Sequence, residues 1–311
     1  MQHLYCRSVV PNDQCTASSL YQQNCDSSHW QACEQARVDL REFIISPVMD
    51  QGLLNACTGC ALSAAMEITL NRQKTEFFDD CSQVSKASAM YIYYHERLLA
   101  GKELQNMPVL ISDGFQALQL FGVCCADLWP YPKTHVPESL YQLIKTASLE
   151  EITENLELVL TEKQAIIRKL MSEKPSKKAI EQAKTFRQVK YCRLSIEHGI
   201  DEIKHALSNQ TPVIFGFIEP RSFFEIPSSG IMPMPSEDEL RIGGHAVCAV
   251  GFDDDKQALL IRNSYGGNFG LSGYLYMPYE FMLGSYQVDG ESLPNAFDFY
   301  CLLEERAISS T

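Results

Sequence analysis

The sequence predicts an α+β protein with two lobes and a cleft between them. Residues 38–137 carry apolar side chains at helical spacing, with helices expected over Tyr91–Leu99 and Gly114–Phe121. Residues 191–311 contain short runs of β-branched and aromatic residues, separated by Gly, Pro and Asp, that are typical of strands. A helical half followed by a strand-rich half favours segregated helices and strands. The strands are expected at 211–218, 244–252, 258–263 and 273–277.

Composition excludes several classes of protein. The chain has 311 residues, of which 45% are hydrophobic and 21% charged, which is typical of a packed globular protein. It carries 39 acidic and 26 basic side chains, a net charge of −13, and this argues against nucleic acid as the main partner because phosphate binding needs clustered Lys and Arg. No apolar run reaches the roughly 18 residues that a membrane-spanning helix needs.

Twelve cysteines are many for such a chain, and four of them, Cys6, Cys15, Cys25 and Cys33, lie near its start. The stretch around them is polar and poor in aliphatic residues, so disulfide bonds would explain how it stays ordered. We therefore treat residues 1–37 as a Cys-rich N-terminal extension, a candidate pro-segment, and expect the protein to be secreted or otherwise extracytoplasmic. No signal peptide is visible, because the first residues lack a basic region followed by an apolar run.

Residues 138–190 differ in charge from the rest of the chain. They hold 8 acidic and 10 basic residues, against 31 and 16 in the remainder. Apolar residues recur at helical spacing from Leu149 to Leu170 with charged residues between them, which indicates an amphipathic helix or helical hairpin lying on the body. Pro175 is expected to end the first helix and Ser176 to cap the next. A cap or a partner-docking arm would show the same pattern.

Three short stretches contain residue types that catalyse acyl transfer. Cys57 is expected at the N-terminus of a helix, where the helix dipole and the backbone N–H groups favour a thiolate. His245 stands at the start of an apolar strand, and Asn263 ends another strand before a Gly-rich turn. Each has an ordinary alternative: a buried helix cysteine, a core histidine and a turn asparagine. Together they supply a nucleophile, a base and an orienting group, and Gln51 supplies an oxyanion donor.

The order and spacing of these stretches resemble those of the papain-like cysteine peptidases. Residues 38–41, Val-Asp-Leu-Arg, are similar to the family's Val-Asp-Trp-Arg, and residues 47–52, Pro-Val-Met-Asp-Gln-Gly, to its Pro-Val-x-x-Gln-Gly. Residues 263–274 keep the spacing of its Asn-Ser-Trp-Gly-x-x-Trp-Gly-x-x-Gly-Tyr motif. Residues 87–99 and 112–131 resemble the divergent prokaryotic branch of the family rather than the lysosomal cathepsins.

The resemblance implies a two-lobed papain-like fold. The left lobe, over residues 38–137, would be helical and carry the nucleophile. The right lobe, over residues 191–311, would be an antiparallel β-barrel-like structure that carries the His and Asn. Residues 138–190 would form a charged helical segment inserted between them.

The resemblance also implies a hydrolase that cleaves peptide bonds through a thioester acyl-enzyme. Cys57 would be the nucleophile and His245 the acid–base catalyst. Asn263 would orient the imidazole, and Gln51 would donate to the oxyanion. The substrate would be a peptide or protein, the enzyme would need no cofactor or metal, and we expect it to act as a monomer.

The nucleophile region departs from the family pattern at several positions. Leu54 stands where the family has a disulfide-bonded cysteine three residues before the nucleophile, and Thr58 replaces the tryptophan after it. Residues 112–114, Ser-Asp-Gly, replace the family's Cys-Asn-Gly-Gly substrate strand. We therefore expect Asp113 and Gly114 to contact the substrate.

Two further substrate contacts are expected beside the histidine. Gly244 directly precedes His245 and, having no side chain, leaves that side of the cleft open. Tyr265 stands where the family has a tryptophan, and we expect its ring to shield the hydrogen bond between His245 and Asn263 from solvent.

Cys57 and Cys60 form a Cys-x-x-Cys pair, so the nucleophile has to be chosen between them. Gln51 precedes Cys57 by six residues, as in the family, whereas Cys60 would lengthen that spacing to nine. We therefore assign Cys57, and expect Cys60 and Cys248 to be buried thiols. A redox motif would need a βαβ context, and a zinc site would need a second pair of ligands.

Other functions are compatible with the same residues. An aminopeptidase or transamidase would use them in a cleft closed at one end, by residues 1–37 or 138–190. A catalytically silent binding protein would keep the fold without thiolate reactivity. A latent zymogen would hold residues 1–37 in the cleft until proteolysis.

Overall fold

The structure, a computed structural model, describes the backbone of residues 22–24 and residues 34–72, 86–186, 189–197, 199–288 and 290–303. Cysteines 6, 15, 25 and 33 lie outside the described residues, so the stapling expected for the N-terminal extension stays a prediction.

Most of the described helices fall in the first two thirds of the chain. In chain order they are α1 (Cys57–Arg72), α2 (Ala89–Leu99), α3 (Ile111–Phe121), α4 (Glu138–Thr146), α5 (Leu149–Glu162), α6 (Gln164–Ser172), α7 (Lys177–Ala183), α8 (Asp201–Ser208) and α9 (Tyr279–Leu283). Short 3₁₀ turns cover Leu40–Phe43, Lys184–Phe186 and Arg221–Glu225.

The strands form one large sheet and one hairpin. They are β1 (Gln22–Asn24), β2 (Arg37–Asp39), β3 (Lys190–Arg193), β4 (Val213–Pro220), β5 (Arg241–Asp253), β6 (Ala258–Arg262), β7 (Tyr274–Pro278), β8 (Ser285–Val288), β9 (Glu291–Pro294) and β10 (Ala296–Leu303). The sheet runs β1-β3-β10-β4-β5-β6-β7, with β2 also paired to β5, and β8 pairs with β9. All described pairs are antiparallel except β1 with β3, and the path of the described strands is open rather than closed into a barrel.

Helix α1 lies at the centre of the molecule, against the sheet and the other helices of its lobe. Its residues are mostly small and nearly all of them are buried, on every face. A helix that is apolar all round belongs in a core. Gly59 permits the close approach of α2, because a Cβ there would lie 2.8 Å from the carbonyl oxygen of Ala89.

The α+β arrangement predicted from the sequence is confirmed. The predicted helix at Tyr91–Leu99 is the C-terminal part of α2, and the one at Gly114–Phe121 lies within α3. The four strands predicted from β-branched runs correspond to β4, β5, β6 and β7. Boundaries differ by a few residues, as expected when they are set by caps and turns.

The charged segment after residue 137 forms helices that pack on both lobes. In α5 and α4, Ile152 and Ile144 pack against Ile242 at the start of β5. In α6 and α7, Ile167, Met171, Ala179 and Ala183 pack against the α2 side of the helical lobe. The predicted amphipathic helix is broken at Lys163, and Ser176 caps α7 by accepting a hydrogen bond from the Ala179 N–H.

Ile152 and Leu158 provide a matched test of this packing. Both lie in α5, but Ile152 is 0% exposed and Leu158 is 68% exposed. We expect Ile152→Ala to lower the free energy of unfolding by about 2–5 kcal/mol, because it removes buried methyl groups and leaves a cavity. Leu158→Ala should change it by less than about 0.5 kcal/mol. Denaturant unfolding measures both, and equal effects would contradict the packing.

Candidate active site

Cys57 is the first residue of α1 and is 0% exposed. It belongs to the core cluster that α1 shares with β5, together with Ala61 and Ala246. Its position at the helix N-terminus is the one that favours a thiolate electrostatically. The sequence prediction for this residue's place in the fold therefore agrees with the structure.

Cys60 lies one turn further along α1, in a different environment. It is buried, and its sulfur lies 3.4 Å from the Met49 sulfur. Burial, with Cys57 and Glu96 nearby, raises the pKa of the Cys60 thiol well above its usual range. A thiol of this kind is a poor nucleophile at neutral pH. Cys60 and Cys248 are both buried thiols outside any disulfide, as predicted.

His245 and Asn263 form the hydrogen bond expected of an orienting pair. His245 lies in β5 opposite Phe217 of β4, and Asn263 directly follows β6. The His245 Nε2 lies 2.8 Å from the Asn263 Oδ1, which also accepts from the Ser264 N–H. The other ring nitrogen, Nδ1, is buried and makes no hydrogen bond within the described part of the chain. The pair thus fixes the ring and leaves Nδ1 for a reacting group.

Burial controls the protonation of the histidine. His245 is 0% exposed, and this desolvation lowers its pKa to about 4, although the hydrogen bond with Asn263 acts in the opposite direction. In the described conformation the imidazole is therefore neutral at pH 7. The protonated form needs solvent or a nearby negative charge.

The Tyr265 ring covers one face of the His245 ring. Its ring stacks on the His245 ring, with centroids 4.7 Å apart and planes inclined by 23°. Its hydroxyl donates to the Glu219 Oε1 at 2.6 Å. Glu219 is completely buried at the end of β4. This carboxylate was not identified from the sequence, because an isolated Glu in an apolar strand gives no signal of its partner.

A backbone seam joins the two lobes beside these residues. We call the pairing of residues 49–51 with residues 264–266 the interlobe seam. The Gln51 N–H donates to the Ser264 carbonyl at 2.8 Å, and the Gly266 N–H to the Met49 carbonyl at 3.0 Å. The Arg262 guanidinium adds hydrogen bonds to the Ser46 and Pro47 carbonyls, at 3.2 and 2.9 Å. The loop before the nucleophile is thereby fixed against the turn after Asn263.

The side chain of Gln51 is held at both ends of its amide. Its Oε1 accepts from the Ser264 hydroxyl at 2.6 Å, and its Nε2 donates to the Leu54 carbonyl at 3.1 Å. The bond to Leu54 uses one of the two Nε2 protons. The second proton can donate to a substrate oxygen, so the geometry is compatible with an oxyanion donor.

Asn106 organises the loop between Gln51 and Cys57 and was not identified from the sequence. Its Nδ2 donates to the Leu53 carbonyl at 2.9 Å, and its Oδ1 accepts from the Asn55 N–H at 2.9 Å. A lone Asn between two helices resembles any other loop residue in sequence.

The other predicted substrate contacts lie in two different places. Asp113 and Gly114 are in the first turn of α3, and a Cβ on Gly114 would lie 2.5 Å from the Glu96 Oε1. Burial raises the pKa of Asp113. Gly244 is buried in β5, opposite Ile218. Gly244 thus directly precedes His245 in the chain and Tyr265 stacks on its ring, whereas Asp113 and Gly114 belong to the α2–α3 contact.

Glu96 is a buried carboxyl close to the nucleophile helix. Its Oε2 accepts from the hydroxyl of Thr58, the residue after Cys57, at 2.9 Å. Burial raises its pKa to about 8, and the nearby Asp113 acts in the same direction, against the Thr58 hydrogen bond and Arg97. Glu96 is therefore largely protonated at pH 7.

The described residues offer neither a metal-binding cluster nor a membrane-spanning helix. They contain no group of three or more His, Cys, Asp or Glu side chains that could hold a metal ion. None of their helices combines the length and apolar character that crossing a membrane requires.

Comparison with known sequences matches this chain to one family. The family model described as papain family cysteine protease matches residues 35–288. An uncharacterized peptidase C1-like protein of Acanthamoeba polyphaga mimivirus is 30% identical over 256 residues, which cover 78% of this chain and 69% of that protein.

Solved structures give the same result for the fold. Xylellain, a cysteine protease from Xylella fastidiosa, superposes with a TM-score of 0.71 at 26% identity, covering 98% of this chain and 99% of the other. Digestive procathepsin L 3 of the Tenebrio molitor larval midgut gives a TM-score of 0.61 at 14% identity, covering 96% of this chain and 77% of the other. The second similarity concerns the fold alone.

The buried Glu96 predicts a pH-dependent stability. Because its pKa is raised from 4.5 to about 8, the folded protein keeps a proton that the unfolded chain releases between these pH values, so this carboxyl destabilises the fold as pH rises. Glu96→Gln cannot ionise and should gain roughly 4 kcal/mol over the unchanged protein by pH 8, with little gain at pH 4.5. Thermal unfolding across pH measures this. Glu157→Gln on exposed α5 is the control, and a gain independent of pH would contradict the assignment.

Proposed function

The chain belongs to the papain family of cysteine proteases, and we propose that it hydrolyses peptide bonds through a triad of Cys57, His245 and Asn263. The observation that carries the proposal is the His245–Asn263 hydrogen bond, which leaves Nδ1 as the reacting nitrogen of a rigidly held ring. The position of Cys57 at the start of α1 supports it as the nucleophile.

The first half-reaction forms the acyl-enzyme. His245 Nδ1 takes the proton of the Cys57 thiol; the sulfur then attacks the peptide carbonyl carbon, and the carbon–oxygen π electrons move to the oxygen. The Gln51 Nε2 and the Cys57 backbone N–H donate to this oxyanion. As the C–N bond breaks, His245 gives its proton to the leaving amine, and a thioester remains on Cys57.

The second half-reaction releases the acyl group. His245 takes a proton from water, whose oxygen attacks the thioester carbonyl, and the sulfur leaves. Asn263 keeps the imidazole in one orientation throughout, and the Tyr265 ring excludes water from the hydrogen bond between them. Peptides or proteins are the substrate, and every step uses side chains or backbone of this chain.

A latent form is a second candidate, favoured by the burial of the site. Cys57 and His245 are both 0% exposed, and the imidazole is neutral at pH 7 because of its lowered pKa. Opening of the cleft would hydrate the ring and allow it to take up a proton. Activity that rises on limited proteolysis would identify this form, and the N-terminal extension at 1–37 is its proposed cause.

Three further proposals concern the localisation of the enzyme, its branch of the family and its oligomeric state. We propose that the enzyme is extracytoplasmic, that it belongs to the prokaryotic branch of the family, and that it acts as a monomer. The cysteine-rich extension supports the first, and the similarity to a protease of Xylella fastidiosa supports the second.

Digestion of a denatured protein distinguishes internal cleavage from the single-residue trimming of an aminopeptidase, and a silent binding protein would give no products.

Cys57 and Cys60 form a matched pair for identifying the nucleophile. Cys57→Ala should abolish both hydrolysis and labelling by a thiol-directed peptidyl epoxide, because it removes the attacking sulfur. Cys60→Ala should retain labelling, because the raised pKa of that thiol keeps it unreactive. Mass-spectrometric mapping of the labelled cysteine decides. Labelling that survives Cys57→Ala and disappears in Cys60→Ala would contradict the assignment.

Gln51→Ala should lower kcat by roughly 10² or more, the effect of losing one oxyanion donor. The rate of Cys57 labelling by a small alkylating reagent should change much less, because alkylation forms no oxyanion. Ser264→Ala, which frees the Gln51 amide without removing it, should have an intermediate effect. An unchanged kcat in Gln51→Ala would remove this residue from the site.

A further inference from the structure

The last residues of the helical lobe, from residue 131 onwards, pass along the oxyanion side of the site. The Tyr131 hydroxyl donates to the Gln51 carbonyl at 3.1 Å, and the Leu53 N–H donates to the Thr134 carbonyl at 3.0 Å. The His135 Nδ1 lies 3.0 Å from the Asp50 Oδ2. Residues 131–137 are therefore attached to the loop that begins the interlobe seam.

The same chain then reaches the histidine side of the site. The Tyr141 ring in α4 contacts the Tyr265 ring, with centroids 6.4 Å apart, and Tyr265 stacks on His245. Ile144 is buried against the β lobe, and the Arg221 guanidinium donates to the Ala147 carbonyl at the end of α4. We call residues 131–147 the bridging segment, because they contact the Gln51 loop at one end and Tyr265 at the other.

The proposed chemistry determines which end of a substrate meets this segment. During acyl transfer the carbonyl carbon is bonded to Cys57, and the amine departs towards the His245 ring that protonates it. Residues on the C-terminal side of the cleaved bond therefore extend past His245 and Tyr265. The bridging segment stands on that side, since it contacts Tyr265.

We propose that the bridging segment closes the leaving-group end of the cleft, so that the enzyme removes short pieces from the C-termini of peptides rather than cutting within long chains. This inference rests on the proposed function. A wall that clashes with longer substrates gives specificity by exclusion. It also argues against an aminopeptidase, because trimming from the N-terminus requires closure at the acyl end instead.

The test compares peptides that differ only beyond the cleaved bond. A set of mixed-sequence peptides carries an N-terminal fluorophore, and each is made with and without a Gly-Ser tail of six residues at its C-terminus. The full-length protein should cut the untailed peptides near their C-termini. The tail should lower kcat/KM at the same bond by about tenfold or more. Mass spectrometry identifies the bonds cut.

Substitutions in α4 test whether the segment causes the selectivity. Tyr141→Ala should reduce the tail effect to about threefold or less, because it removes the ring of the bridging segment that contacts Tyr265. Tyr141→Phe should keep the full effect. Gln142→Ala changes the next residue, which is exposed and bonded to Glu138, and should also keep it. The tail effect in the unchanged protein is decisive even if Tyr141→Ala fails to fold.

The outcomes separate this inference from the proposed function. Equal cleavage of tailed and untailed peptides, or trimming from the N-terminus, would overturn closure of the leaving-group end while retaining the Cys57 mechanism. Absence of both peptide cleavage and Cys57 labelling, before and after limited proteolysis, would overturn the proposed function, and this inference with it.

Discussion

The interlobe seam is the constraint on which the rest of the site depends. Two backbone hydrogen bonds between residues 49–51 and 264–266, with the Ser264 hydroxyl on the Gln51 amide, place the oxyanion loop of one lobe against the Asn263 turn of the other. The proposed nucleophile and its proposed base come from different lobes, and this contact, together with the packing of α1 on β5, fixes their relative position. Arg262, which donates to carbonyls of the facing chain, strengthens it from inside the β lobe.

Burial of His245 in this conformation works against its proposed role as an acid catalyst. The His245 ring is surrounded by aromatic rings, and loss of solvent lowers its pKa to about 4. An acid catalyst at neutral pH needs a higher pKa, which hydration or a neighbouring thiolate supplies. Access to the cleft and activation of the histidine are therefore linked, and the proposed latency and the proposed mechanism describe two states of one site.

The fold and the site could be predicted from sequence to different depths. Strand runs and helical spacing predicted the main elements, because burial periodicity is local along the chain. The spacing from Gln51 to Cys57 and the motif at Asn263 predicted segments that the structure brings together on the two sides of the interlobe seam. Contacts made through tertiary structure, such as Tyr265 with Glu219, leave no local pattern. The break at Lys163 was not predicted for a similar reason. Apolar residues along this one amphipathic stretch pack against two different lobes.

We propose that the seam presents Gln51 and Cys57 together to a substrate carbonyl. A crystal structure of the full chain after reaction with a peptide aldehyde tests it most directly, because the aldehyde forms a tetrahedral hemithioacetal with the nucleophilic thiol. We expect the new bond at the Cys57 sulfur, with the hemithioacetal oxygen about 3 Å from the Gln51 Nε2. An adduct on Cys60, or an oxygen facing away from Gln51 while the seam is intact, would contradict the account.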